Sequence, residues 1–329
     1  MIRVLFHDGH QLHSLPAEAA SMKLALTNVD GLLWVDFQAS PPATDEPILR
    51  DVFGFHPLAI DDALQESHIP KIDDWEEYLY IVLHAIQFER IDGSSLETLE
   101  LDIFVGRNYL VTHHDQPIAA LNAVWEESQR DERHWKNGSD YLLYRLVDRV
   151  VTGYLPVLEE VDDEIERIEN QVFSNPQPKL VERIFTLKRA IAHLRRVISP
   201  QREVLNKLAR DDYTVIDRKA RIYFRDVYDH LVRLHDISES IRDLVSGALD
   251  TYLSVINNRM NDIMKTLTII TTLFMPLSFV VGFFGMNFFP SPNGDFRIWT
   301  THLVFRIAVL VLFLTPVGMY LWVKRKGWL

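Results

Sequence analysis

The sequence predicts an α+β membrane protein. It has an N-terminal α/β cytoplasmic domain, a long helical hairpin, and a very long stalk helix that continues as the first transmembrane helix. A second transmembrane helix lies at the C-terminus. Three observations carry this expectation. Two stretches almost free of charge close a chain of 329 residues that is otherwise rich in charge. Short apolar runs bounded by turn residues fill the first 137 positions. The region between them is helical in period. The expected division is 1–137 for the α/β domain, 138–219 for an acidic helical hairpin and 220–264 for the cytoplasmic stalk. Residues 265–284 form the first span, 285–301 an external loop, 302–323 the second span and 324–329 a basic tail.

In the first region LLWVDF (32–37), YLYIVLHAI (78–86), LELDIFVG (99–106) and YLVTHH (109–114) read as strands. HPLAIDDAL (56–64) and QPIAALNAVWEES (116–128) read as helices. Mixed order of this kind is the mark of an α/β layer structure. Two long helices follow, Tyr141 to Phe173 and Pro178 to Arg210, broken by Ser174-Asn175-Pro176-Gln177-Pro178. The tip of this hairpin is acidic: Glu159, Glu160, Asp162, Asp163, Glu164, Glu166 and Glu169 stand against Arg167 alone. A solvated helix face and an electrostatic sink for cations both fit that run.

From about Ala220 to Phe284 the only proline is Pro276 and the only glycines are Gly247 and Gly282. One helix of that length measures on the order of 95 Å at about 1.5 Å per residue. Steps of four and three along it give Asp250, Ser254, Asn257, Asn261, Met264, Thr268, Thr271, Met275, Ser278, Gly282 and Gly285. This stripe is polar, small or flexible, and its 3.5-residue repeat keeps it on one side of a gently supercoiled bundle. Such a stripe faces either a closely packed helix or water. Asp250, Asn257 and Asn261 favour water, because rings of oxygen suit a hydrated hard cation. Met264, Met275 and the adjacent Leu267 would form apolar constrictions. Pro276 frees a carbonyl within the span.

The spans themselves are Thr266–Phe284, with no charge, and Leu303–Val323, with Arg306 alone. Each is long enough to cross a hydrocarbon core of about 30 Å. Arg306 lies within a turn of the loop, where it can snorkel to headgroups. Lys324, Arg325 and Lys326 close the second span, and Arg259 and Lys265 precede the first, whereas the loop carries only Arg297. The positive-inside rule then puts both termini in the cytoplasm. Trp299, Trp322 and Trp328 fit interfacial belts. A two-helix hairpin is too small to enclose a path by itself, so conduction requires a ring of subunits.

Composition removes other classes. The chain holds 46 acidic and 34 basic residues, a net charge of −12, which disfavours nucleic acid as a partner. Without Cys there are no disulfides or thiolate metal sites, which fits a reducing compartment. The N-terminal MIRVLFHDGHQLH lacks the apolar core of a signal peptide, and its three His do not share one face of a strand and turn. No P-loop, GxGxxG, HExxH or GxSxG pattern is present, so nothing points to an enzyme.

Gly285-Met286-Asn287, directly after a first span ending LFMPLSFVVGFF, resembles the signature of the CorA family of Mg²⁺ channels. HPLAIDDAL, PKIDDWEEYLYIVL, SDYLLYRLVD, YFRDVYDH, LVSGALDTYLS and the final KRKGWL resemble CorA segments in the right order. The likeness covers essentially the whole chain. It implies a homopentamer in the cytoplasmic membrane, with lipid around it and divalent cations as its cargo. It also implies a selectivity motif at Gly285, Met286 and Asn287, with Asn287 offering a side-chain carbonyl to hydrated Mg²⁺. Asp250, Asn261, Met264, Leu267, Thr271, Met275 and Ser278 match pore positions, and Asn257 and Thr268 complete the stripe. Asp62 and Asp226 match a pair that holds a regulatory Mg²⁺ between neighbouring subunits, with Asp61 close enough to contribute. The loop departs from the family, because FFPSPNGDFRIW offers only Asp295, beside Arg297. A zinc transporter of the ZntB type shares the architecture but usually has Gly-Val-Asn where this chain has Met286. A non-conducting scaffold would leave the polar stripe without a purpose.

Overall fold

The computed structural model describes residues 1–64, 69–87, 96–285 and 302–326, apart from the side chain of Phe284. In chain order the elements are β1 (Ile2–His7), β2 (Leu12–Ser14), α1 (Ala19–Leu26), β3 (Leu32–Gln38), α2 (Pro42–Asp51), α3 (Pro57–Leu64), β4 (Lys71–Asp74) and β5 (Leu79–Gln87). They continue with β6 (Glu97–Val105), β7 (Tyr109–His114), α4 (Ala119–Arg130), α5 (Arg133–Lys136), α6 (Ser139–Thr152), α7 (Leu155–Ser174), α8 (Pro178–Arg210), α9 (Arg221–Gly285) and α10 (His302–Arg325). The chain divides into two compact units, Met1–Thr251 and Tyr252–Leu329.

In the first unit, the strands among the described residues form one sheet in the order β2-β1-β3-β7-β6-β5-β4. Only β3 and β7 run parallel. Alternation along the strands separates two faces. One carries Val4, Val35, Phe37, Tyr80, Val82, Phe104 and Val111, buried with Met22 of α1, Leu49 of α2 and Ile60 of α3. The other is covered by α4 and α6, and Trp34 there meets Trp125 of α4 edge-on at 4.7 Å between ring centres, while α8 packs against β4 and β5. Burial on both faces is why LLWVDF and LYIVL read as unbroken apolar runs rather than alternating ones. The strands β1, β2 and β4 lie toward the sheet's two ends and carry weaker signals. The short β4 holds Lys71-Ile72-Asp73-Asp74, too polar and too brief to stand out.

The end of β5 shows how helices complete the sheet. The partner β4 reaches only as far as the Lys71–Val82 pairing, so His84 lies beyond it. The His84 N–H instead donates to Oε1 of the fully buried Gln201 on α8, at 3.0 Å. The His84 carbonyl accepts from the hydroxyl of the buried Tyr154 at 2.6 Å. A buried backbone group must find a partner, and here two side chains from the helical region supply it.

Tyr154 can reach the sheet because the helix breaks there. The sequence reading of one helix from Tyr141 to Phe173 is corrected by the structure: α6 ends at Thr152 and α7 begins at Leu155. Gly153 closes α6, its N–H returning to Arg149 and Val150 carbonyls. Pro156 has no N–H to extend the ladder back to Thr152, so the chain restarts with proline in the first turn of α7.

In the second unit, α9 and α10 each contain a stretch long and apolar enough to cross a membrane, and no residue of either stretch is buried. Ile263, Phe274, Phe279, Leu303, Phe305 and Phe313 are 61–73 % exposed. Leaving these six in water would cost on the order of 10 kcal/mol. That matches the whole net stability of a typical domain. Lipid or neighbouring helices must cover them.

Replacing Gln201 with Leu should destabilise the first unit by about 1–3 kcal/mol, because the His84 N–H is then buried without an acceptor. Tyr154→Phe should act in the same direction through the carbonyl. Thermal unfolding of the detergent-purified protein measures both. Unchanged midpoints would show that the edge of β5 is satisfied in another way.

Candidate permeation stripe and carboxylate sites

The stripe read from spacing falls on a single uninterrupted helix. Asp250, Ser254, Asn257, Asn261, Met264, Leu267, Thr268, Thr271, Met275, Ser278 and Gly282 are all exposed on α9, and Gly285 is its last residue. Met286 and Asn287 lie outside the described residues. Apolar neighbours of the stripe are exposed too, so one chain by itself does not decide which face meets lipid.

Two hydroxyls of the stripe have a defined orientation. Thr268 Oγ1 donates to the Met264 carbonyl at 2.8 Å, and Thr271 Oγ1 donates to the Leu267 carbonyl at 2.9 Å. With its proton committed to the backbone, each oxygen turns its lone pairs outward. It therefore acts as an acceptor, which is what the waters around a cation require. Pro276 sits inside α9 without ending it, and it leaves the Thr272 carbonyl without its helical donor.

The carboxylates expected to hold a regulatory ion lie on separate elements. Asp61 and Asp62 are on α3, and Asp226 is exposed near the start of α9. Among the described residues no three His, Asp or Glu side chains of one chain converge well enough to hold a metal ion. Two further charged groups join this set, and spacing alone did not single them out. Lys71 on β4 pairs with Asp62, and lies 3.1 Å from Asp73. Asp148 on α6 is half-buried, and burial pushes its carboxyl upward while Arg145 and His230 pull it down and Asp226 adds to the rise. Both residues stood in quoted segments, PKIDDWEEYLYIVL and SDYLLYRLVD. The signal was a charge next to an apolar run, which acquires meaning only when the strands are paired.

The acidic run is also corrected. It does not lie at the tip, which is Asn175-Pro176-Gln177, but along the middle of α7. Glu164 is buried and accepts from Arg183 of α8 and from Arg167 at 2.9 Å. The facing α8 carries nine Lys and Arg against two Glu, so the two helices largely neutralise each other. This weakens the reading of the run as a cation sink.

The family model for CorA-like Mg²⁺ transporter proteins matches residues 29–325. The chain belongs to the CorA family. The cobalt/magnesium transport protein CorA of Thermotoga maritima is 37 % identical over 280 residues, covering 85 % of this chain and 78 % of that protein. The complete CorA magnesium transporter structure from Methanocaldococcus jannaschii aligns with a TM-score of 0.80 over 99 % of this chain and 98 % of that one. At 24 % identity that likeness speaks for the fold alone. The cytoplasmic domain of ZntB from Vibrio parahaemolyticus covers 79 % of this chain and 99 % of its own, with a TM-score of 0.60 and 14 % identity, again a likeness of fold. CorA family members are membrane transporters, not enzymes, and the two apolar helices of this chain accord with that.

Replacing Glu164 with Gln should cost about 1–3 kcal/mol, since a buried carboxylate between two guanidinium groups is weakened. The solvent-facing Glu166→Gln should stay within about 0.5 kcal/mol. Chemical denaturation of the two variants tests the contrast, and equal behaviour would return the run to a plain solvated face.

Proposed function

We propose that this chain is one subunit of a homopentameric channel that admits Mg²⁺, and also Co²⁺, across the cytoplasmic membrane, with both termini in the cytoplasm. Ni²⁺ is a further candidate cargo. The observation that carries this reading is the oxygen-rich stripe that runs from Asp250 to Gly285 on one helix and continues through the apolar stretch. A scaffold has no use for hydroxyl oxygens along a span, in line with carboxamide and carboxylate oxygens below it. Outward lone pairs on Thr268 and Thr271, with Asn257 and Asn261 below them, suit a cation that keeps its water. The selectivity role of Gly285, Met286 and Asn287 rests on the family pattern.

Asp62, Asp226 and Asp61 are the proposed ligands of a regulatory Mg²⁺ shared between neighbouring subunits. Their all-oxygen chemistry fits a hard cation, and their separation on α3 and α9 calls for a second chain. When bound, the ion would neutralise carboxylates that otherwise repel across the interface. Moving a two-state equilibrium from mostly open to mostly closed takes roughly a 10⁴-fold preference in total. Five equivalent sites would then each need only about a six-fold preference. Weak sites of half-buried and exposed carboxylates can supply that.

Reconstitution into liposomes holding a Mg²⁺-sensitive dye tests the channel itself. Uptake should occur at low internal Mg²⁺ and be lost in Asn287→Ala. Uptake that survives that change would remove the motif assignment. The regulatory site has its own test. Lys71 competes with a metal ion for Asp62. Lys71→Met should therefore lower the Mg²⁺ concentration that protects the protein from proteolysis, and Asp62→Ala with Asp226→Ala should abolish protection. Unchanged protection in the double variant would move the site elsewhere.

A further inference from the structure

Two adjacent histidines on β7 face opposite sides of the sheet, and their surroundings differ in one respect. His114 points toward the face covered by α4 and α6, where its Nε2 lies 3.3 Å from Asp36. Asp36 is fully buried but has a permanent cation, with Arg3 donating from Nη2 at 2.6 Å, and Thr112 donates to it at 2.6 Å. His114 first, then Thr112 and Arg3, hold its carboxyl low despite burial. Arg3 keeps a charge beside Asp36 at any ordinary pH.

His113 points toward the face covered by α2 and α3. Its Nε2 lies 3.7 Å from Asp45 Oδ2, and its Nδ1 lies 3.8 Å from Asp102 Oδ2. All three side chains are buried. Ser40 donates to Asp45 at 2.6 Å, and Tyr80 donates to Asp102 at 2.6 Å. The groups facing His113 are thus Asp45 from α2, Asp102 and Glu100 from β6, His84 from β5, and His114 and Asp115 at the end of its own strand, with the Met1 amine acting on Asp45 at longer range. A cavity of about 240 Å³, lined by His84, Glu100, Asp102, His113 and His114, reaches the His113 side of the pair and gives a proton a route in. His84 does not compete for that proton, since burial and His193 lower it to about 4. The partner of Asp45 here is an imidazole, whose charge depends on a proton.

We infer that Asp45 and His113 form a buried proton-binding latch that seats α2 on the sheet and loosens it when the proton leaves. Asp45 is the polar member of a buried set on α2 that also holds Ile48 and Leu49. With the proton present, the α2 carboxylate faces an imidazolium. Without it, a buried carboxylate faces a neutral ring, and its desolvation is no longer offset. The titration agrees in sign. Burial alone would lower His113, but Asp102, Asp45 and Asp115 outweigh it and the group is raised. Burial likewise raises Asp45, against Ser40 and His113. The raised His113 means stability that is full below the ordinary His range and is lost as pH climbs through its folded value, whereas the raised Asp45 marks the burial cost of its carboxylate, which sets in already above the ordinary carboxylate range. The helix α3, which follows α2 and packs against it, carries Asp61 and Asp62, so the latch lies next to the proposed regulatory carboxylates. The inference stands whether or not those carboxylates take a metal ion.

Hydrogen–deuterium exchange of the full chain in detergent, read on the peptide covering Pro42–Asp51 and corrected for intrinsic rates, tests the latch between about pH 6 and about pH 9. Wild-type α2 should lose protection through a one-proton step above about pH 6.5, while α7 and α8 should not follow. Asp45→Asn keeps an acceptor for Ser40 and should lose that step. His113→Asn should expose α2 to fast exchange across the whole range. If His113→Asn does not fold, Asp45→Asn alone decides. A wild-type profile without a step, or a step that persists in Asp45→Asn, overturns the proposal.

Discussion

Among the described residues nothing buries the apolar stretch of α9, and that constraint shapes the rest of the molecule. A helix with Phe274 and Phe279 largely exposed cannot persist in water, and a single α10 offers too little surface to hide it. The bilayer can cover the Ile, Leu and Phe sides. It gains nothing from the side that holds Thr268, Thr271 and Ser278 within the span, and Asn257 and Asn261 continue that side below it, where water or another chain must meet them. The two demands are met together when several copies turn the polar stripe inward and the apolar sides outward. An assembly is thus the arrangement that satisfies one helix, rather than an addition to it.

That helix also explains why the first unit is built as it is. The N-terminal part of α9 carries Phe224, Val227, Leu231, Leu234, Ile241, Val245 and Ala248, all buried within the first unit. Glu239 anchors it to α8 through Arg195, and Arg242 reaches the same carboxylate at 2.7 Å. The same α8 supplies Gln201 to the free edge of β5. A displacement of the sheet therefore acts on α8, and through the arginine-bridged glutamate on the base of the stalk. These are contacts through which coupling could pass, and a double-mutant cycle between Gln201 and Glu239 is what would demonstrate it.

The sequence revealed whatever rests on local pattern. Strands buried on both faces appear as apolar runs, the stalk as a long region almost free of Pro and Gly, and the spans as uncharged stretches. The elements it did not show depend on what lies opposite. The brief, polar β4 becomes a strand because β5 pairs with it. The break between α6 and α7 needed the joint weight of Gly153 and Pro156, each tolerable in a helix near an end. The acidic run left a solvated face and a cation sink both open because the cations that neutralise it sit on the next helix, at Arg183 and beyond. Charge read along one helix misleads whenever its partner is equally charged with the opposite sign.

The carboxylate sites show the same limit more sharply. Asp61, Asp62 and Asp226 could be named from the family pattern, but their electrostatic setting could not. Lys71, nine residues from Asp62, is paired with it, so the ion proposed for this carboxylate would have to compete with an ammonium as well as shed some of its water. The Nζ of Lys71 also sits 5.2 Å from the centre of the Tyr80 ring, whose hydroxyl donates to Asp102. A cation displaced from Asp62 is therefore not released into bulk water. It still has Asp73 and an aromatic face to rest on, which reduces what the incoming ion must overcome. Competition of this kind would make the proposed site weak, and a weak site is what a sensor of an abundant cation requires, because a tight one would remain filled at every concentration reached.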